Sequence, residues 1–126
     1  MLCDYGTGFR EPEMVKRRPV IVVSRQLQHR GALCTVVPLS TTPPRFDVPY
    51  VHKLVLEKPL TPAFPDREMW AKIDMLATVG FQRLDLFRTN RDQTGRRRYF
   101  MPKISAKDLD TIRYGIGYIC GLDITR

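Results

Sequence analysis

Two β-branched runs dominate the first third of the chain, Pro19-Val-Ile-Val-Val-Ser24 and Leu33-Cys-Thr-Val-Val-Pro-Leu39. The continuous hydrophobicity of the first predicts a strand buried on both faces, and the second is predicted as another buried strand. The polar segment 26–31 joins them. Further strands are predicted over 51–56 and over 69–79, the second bent or broken near its middle. Prolines at 43–44 and between 59 and 65 punctuate the connections, since a residue without an N–H interrupts a ladder. A hairpin is expected next, with arms over 86–89 and 97–101 around the polar, glycine-containing segment 90–95. From Ser105 the period changes: Leu109, Ile112, Ile116 and Ile119 recur at spacings of three and four and form one helical stripe. Ser105 is a suitable N-cap, and Asp108 and Asp110 favour the positive end of the helix dipole. Gly115 and Gly117 each cost about 1 kcal/mol against alanine, so this helix depends on packing. The predicted architecture is mainly β, a small β-barrel closed by a C-terminal helix.

With 126 residues, the chain is the size of one domain, expected over 1–126. No apolar run reaches the roughly 18 residues that cross a bilayer, and no membrane association is expected. Met1-Leu-Cys-Asp-Tyr5 lacks a basic start followed by an apolar stretch, so the expected compartment is the cytoplasm. Cys3, Cys34 and Cys120 show no C-x-x-C spacing, and His29 and His52 are the only histidines. Neither a disulfide framework nor a metal site is expected, and no cofactor. Cys34, inside an apolar run, and Cys120, beside the helical stripe, are expected to be buried, inert thiols. Charge narrows the partner: 21 Lys+Arg against 13 Asp+Glu give a net charge of +8, which favours a polyanion and, within that class, nucleic acid.

Candidate chemistry sits at the ends of the two buried strands. Lys16-Arg17-Arg18 immediately precedes the first. Such a triplet is either a solvated loop or a guanidinium held at a rigid strand lip, where it can grip phosphate bidentately. The second strand ends in Ser40-Thr41-Thr42-Pro43-Pro44. These hydroxyls either cap backbone groups in a turn or supply a hydrogen bond to a phosphate oxygen beside the arginine.

Together, K-x-R-P-V-I-V-V-S, a polar loop and T-V-V-P-L-S-T-T resemble the MazF/PemK toxins, whose hallmark is an Arg-Pro before the early hydrophobic strand and a Ser/Thr ending the next. Gly8-Phe-Arg-Glu-Pro-Glu-Met-Val15 resembles the loop leading into that Arg-Pro. Trp70-Ala-Lys-Ile-Asp-Met-Leu-Ala-Thr-Val79 resembles the third motif, with Met75 and Ala77 where many members carry Gln and Arg. The usual first strand, starting with Gly-Asp, is missing or shortened. The resemblance implies a CcdB/MazF-like, SH3-like barrel that forms a homodimer, binds single-stranded RNA across the dimer interface and is silenced by a cognate antitoxin protein. It also implies metal-independent endoribonuclease activity, in which the 2′-hydroxyl attacks the adjacent phosphate to leave a cyclic phosphate and a 5′-hydroxyl. By position, Arg18 matches the catalytic arginine, Ser40 the catalytic Ser/Thr with Thr41 close behind, and Lys72 and Asp74 a basic and an acidic residue implicated in some members.

RNA contacts are expected from Arg10, Lys16, Arg17 and Arg25, and on the hairpin from Arg88, Arg91, Arg96, Arg97, Arg98 and Lys103, where Asp92 alone opposes six cations. Phe46, Trp70, Tyr99 and Phe100 are either core aromatics or surfaces on which bases stack. Two other functional classes fit the same composition: a non-catalytic toxin of this fold that inhibits a protein target such as gyrase, and a basic RNA-binding module in which Ser40 is dispensable.

Overall fold

The computed structural model describes every residue except 7, 12–16, 30, 61–63, 92, 101 and 123–126, and describes the backbone alone over 88–91 and 97–100. In chain order the elements are β1 (Leu2–Cys3), β2 (Arg18–Val22), β3 (Leu33–Ser40), β4 (Val51–Val55), β5 (Glu68–Lys72), a 3-10 turn (Ile73–Met75), β6 (Ala77–Gly80), a 3-10 turn (Phe81–Arg83), β7 (Leu84–Asp85), β8 (Phe87–Arg91), β9 (Arg97–Phe100) and α1 (Ala106–Ile119). Seven strands form one antiparallel sheet in the order β4-β5-β3-β2-β1-β7, with β6 paired to β3 off that path. The predicted break within 69–79 is the first 3-10 turn. It lets one long strand, β3, pair with β6 along 33–36 and with β5 at Leu39 and Ser40.

The expectation of a closed barrel is corrected to an open sheet. Among the described residues the ladder runs from β4 to β7 without joining them. β1 and β7 are two residues long, too little ladder to carry pairing around the remaining circumference.

Burial on both faces of β2 and β3 is seen directly. One face carries Ile21, Val23, Val37 and Leu39 into a core shared with Leu54, Met69, Ala71, Ile73 and Ile112. The other carries Val20, Cys34 and Val36 into a smaller core with Cys3, Tyr5 and Val79. A one-sided strand would alternate; these do not because both faces are dry for much of their length. Val22, 39% exposed, and Leu33, 43% exposed, are the exceptions.

Helix α1 covers the larger core. Ser105 caps it, its Oγ accepting from the Asp108 backbone N–H at 3.0 Å and donating to Asp108 Oδ2 at 2.9 Å. Ile112 is fully buried, while Leu109, Ile116 and Ile119 pack at the margin. Three polar contacts fix the docking: His52 Nε2 lies 2.8 Å from Asp108 Oδ1, and Arg113 Nε and Nη2 donate to the Val23 carbonyl at 3.3 and 3.1 Å. At Gly115 an added Cβ would fall 2.6 Å from Ile73 Cδ1 and 2.9 Å from the Pro49 carbonyl oxygen. The helix gives up some intrinsic propensity there so that it can approach the 3-10 turn closely.

The cysteine expectation holds for Cys34, which is buried as Cys3 is, and fails for Cys120, which is exposed. The apolar stripe ends at Ile119, and Cys120 is the C-cap at which the chain turns away from the core. The predicted hairpin is present as β8 and β9, a separate two-stranded ladder anchored by buried Phe87. Among the described residues no helix is long and apolar enough to cross a membrane.

Candidate active site on the open face of the sheet

Strand register assembles the site. β2 pairs with β3 as Val20↔Pro38, Ile21↔Val37 and Val22↔Val36. The same register carried two residues further aligns Arg18, the first residue of β2, with Ser40, the last of β3. On its other side Ser40 faces Trp70, and Trp70 faces Lys53. Directly opposed residues share a face of a sheet, so Arg18, Ser40, Trp70 and Lys53 form one transverse row across β2, β3, β5 and β4. Lys72, two residues beyond Trp70, lies on the same face in the next row, opposite Val51. This is the face of the smaller core, and the row begins where that core ends, at Cys3, the Cα partner of Arg18 on β1.

Arg18 is half-buried, and its Nε is a buried donor without a hydrogen-bond partner among the described residues. A buried polar atom left unpaired costs about 1–3 kcal/mol. Burial raises the Cys3 thiol and the Tyr5 phenol above their ordinary pKa values, so neither adds an anion beside Arg18 near neutrality. Ser40, 8% exposed, accepts from the Thr42 backbone N–H through Oγ at 3.1 Å. That contact is the turn chemistry expected of a strand-end serine, and it leaves the O–H available to donate. Thr41 is exposed just past the strand.

Lys53 Nζ stands 5.9 Å from the Trp70 ring centroid and 3.2 Å from Glu68 Oε1. Asp74 is exposed within the 3-10 turn after β5, and among the described contacts no hydrogen bond or ion pair joins it to Arg18, Ser40 or Lys72. The third motif thus splits between the site and a turn beyond it. No three His, Cys, Asp or Glu residues among those described gather as metal ligands.

Of the expected RNA contacts, Arg10 and Arg25 are exposed; Arg25 borders a cavity of about 550 Å³ lined by Val22, Leu33, Phe81 and Leu84. Arg17 reaches Asp85 at 3.9 Å, with both side chains well exposed. Lys16 lies outside the described residues, as does most of the loop leading to it. Arg88, Arg91, Arg97, Arg98, Tyr99 and Phe100 are placed on the hairpin by backbone only, while Arg96 and Lys103 are exposed beside it. Phe46 is 76% exposed in the connection after Ser40. Lys53 was not singled out in the sequence. Its place between Val51 and Val55 marks it as outward-facing, but only the register puts it beside Trp70.

The chain is thus an open antiparallel sheet with one C-terminal helix, with an arginine and a serine in register at its β2–β3 lip. The sequence profile of the PemK-like, MazF-like toxins of type II toxin-antitoxin systems matches residues 1–116, and the chain belongs to that family. No curated protein matches it by sequence. Among solved structures, an endoribonuclease in complex with its cognate antitoxin from a mycobacterial species is 20% identical, with a TM-score of 0.62 over 98% of this chain and 92% of that one. The Mycobacterium tuberculosis toxin MazF-mt6 is 18% identical, with a TM-score of 0.59 over 89% of this chain and 94% of that one. At these identities the likeness is one of fold.

Proposed function

We propose that the protein is the toxin of a type II toxin-antitoxin pair, a single toxin domain over 1–126 that acts in the cytoplasm as a sequence-selective endoribonuclease on single-stranded RNA. The observation that carries this reading is Arg18, whose buried Nε has no partner among the described residues, standing in register with Ser40 at one sheet lip. A scissile phosphate seated there receives a planar guanidinium and a neutral donor on its non-bridging oxygens. As the 2′-oxygen attacks phosphorus and the bond to the 5′-oxygen breaks, negative charge builds on those oxygens, and donors fixed in advance by two rigid strands stabilise it. Arginine stays protonated in nearly all protein settings, so charge stabilisation is its role; Asp74, in the turn beyond the row, is the carboxylate that the family pattern assigns to accept the 2′-proton, and the departing 5′-oxygen takes up a proton from water. Lys72, on the same face, adds positive potential, and Thr41 extends the hydroxyl pair.

The chemistry uses side chains alone. A mycobacterial toxin of this fold is described in complex with its cognate antitoxin, which supports an antitoxin partner here. A homodimer would double the basic face and bury more of a small sheet. Incubating the purified protein with single-stranded RNA in excess EDTA tests the reading: cleavage leaving a cyclic phosphate and a 5′-hydroxyl is expected. Intact RNA in EDTA with rapid cleavage on adding magnesium contradicts it.

A further inference from the structure

Trp70 is the single tryptophan of the chain, and it belongs to neither core. Its neighbours along β5, Met69 and Ala71, point into the larger core, so the alternation of the strand turns the indole to the opposite, open face. There it is half-buried, next to Ser40 on one side and Lys53 on the other. Large aromatics on a strand usually remain because they fill a core; this one does not. What surrounds it is a polar, charged face: Arg18 and Ser40 across one strand boundary, Lys53 across the other, and Lys72 and Glu68 one row away on either side, Glu68 lying 3.2 Å from Lys53 Nζ.

We infer that Trp70 is a base-stacking platform that holds one nucleobase of the RNA beside the cleaved phosphate, with Lys53 taking the phosphate of that same nucleotide. The inference rests on the ribonuclease reading above and names the part of the substrate this face recognises. Adjacent strands lie about 4.8 Å apart, so a ring one strand away from Ser40 is within the reach of a nucleotide joined to the phosphate held there. Stacking accepts any base, because every base has a π face; it therefore fixes the position of the strand and leaves the choice of sequence to other contacts. The Lys53 ammonium, 5.9 Å from the ring centroid, exchanges its exposed partner Glu68 for the phosphate of the stacked nucleotide and keeps that backbone close.

As the chain has one tryptophan, intrinsic emission reports Trp70 alone. The probe is a mixed-sequence oligoribonucleotide with 2′-O-methyl riboses, which lacks the attacking hydroxyl, together with an abasic strand of the same length and backbone. The expected result is saturable quenching of the emission by the first strand and much weaker quenching by the abasic one. Trp70→Ala should weaken binding of the first strand roughly 5- to 100-fold, and Trp70→Phe should retain most of it. Binding seen by anisotropy with unchanged emission, or equal quenching by the abasic strand, overturns the stacking platform and leaves the ribonuclease reading in place. No binding together with no cleavage of unmodified RNA overturns both.

Discussion

The two faces of the same strands behave as different materials. On β3, Val37 and Leu39 point into a core roofed by α1, whereas Val36 begins a smaller core that gives way within four residues to Ser40 and the open row. The helix side is built from close approach: Ile73 meets Gly115 where no Cβ fits, and Arg113 and His52 tie helix to strands. The open side is built from polar groups, some unsatisfied, and buries little. Sharing strands couples the two. The packed face holds the register with which the open face aligns Arg18, Ser40 and Trp70, so rigidity is supplied from one side and chemistry exposed on the other.

The largest effect on stability is expected from Ile73→Ala. This fully buried side chain underlies the helix contact, and its truncation should cost about 2–5 kcal/mol, seen as a large drop in the thermal midpoint by circular dichroism. Cleavage per folded molecule, measured well below that midpoint, should stay near wild type. Loss of activity in the folded variant would show that the faces are not separable.

Replacing Arg96, Arg97 and Arg98 together by glutamine probes charge that lies off the sheet altogether. RNA affinity should fall about tenfold at moderate salt, and the slope of log affinity against log salt should flatten by about 2 for a single strand, without change in the thermal midpoint. An unchanged slope would return the hairpin to a merely solvated face.

The smallest effect concerns Asp108. The hydrogen bond from His52 holds its carboxyl below the usual carboxylate range, with help from Ser105. A group whose pKa is depressed in the folded state stabilises above its unfolded value and loses that contribution as the pH falls through the folded one. Asp108→Asn should therefore melt a few degrees below wild type at neutral pH, and the two should converge well below about pH 4. A gap that widens in acid would contradict the assignment.

Much of this arrangement was legible in the sequence for definite physical reasons. Continuous β-branched runs marked β2 and β3 as buried strands, and for β2 on both faces; the spacing of Leu109, Ile112, Ile116 and Ile119, with Ser105 ahead of them, marked α1 and its cap; the weak middle of 69–79 announced the 3-10 turn. What stayed hidden was long-range. Nothing local tells that β3 splits its edge between β5 and β6, that two-residue strands leave the barrel open, or that Cys120 falls past the stripe. Arg18 and Ser40 stood out as motif residues, yet their alignment is a property of register, and Trp70 and Lys53 join them only through the pairing of β4 and β5. Gly115, a cost by propensity, proved to be a packing requirement.

Arg18→Ala carries the central claim most directly. Arg18 is half-buried and its Nε makes no hydrogen bond among the described residues, so removing the side chain should leave the thermal midpoint within a few degrees of wild type. Cleavage of single-stranded RNA, by contrast, should fall about 100- to 1,000-fold, the loss expected when a donor to the developing phosphate charge is removed. A folded Arg18→Ala protein that cuts RNA within a few-fold of wild type would contradict the account.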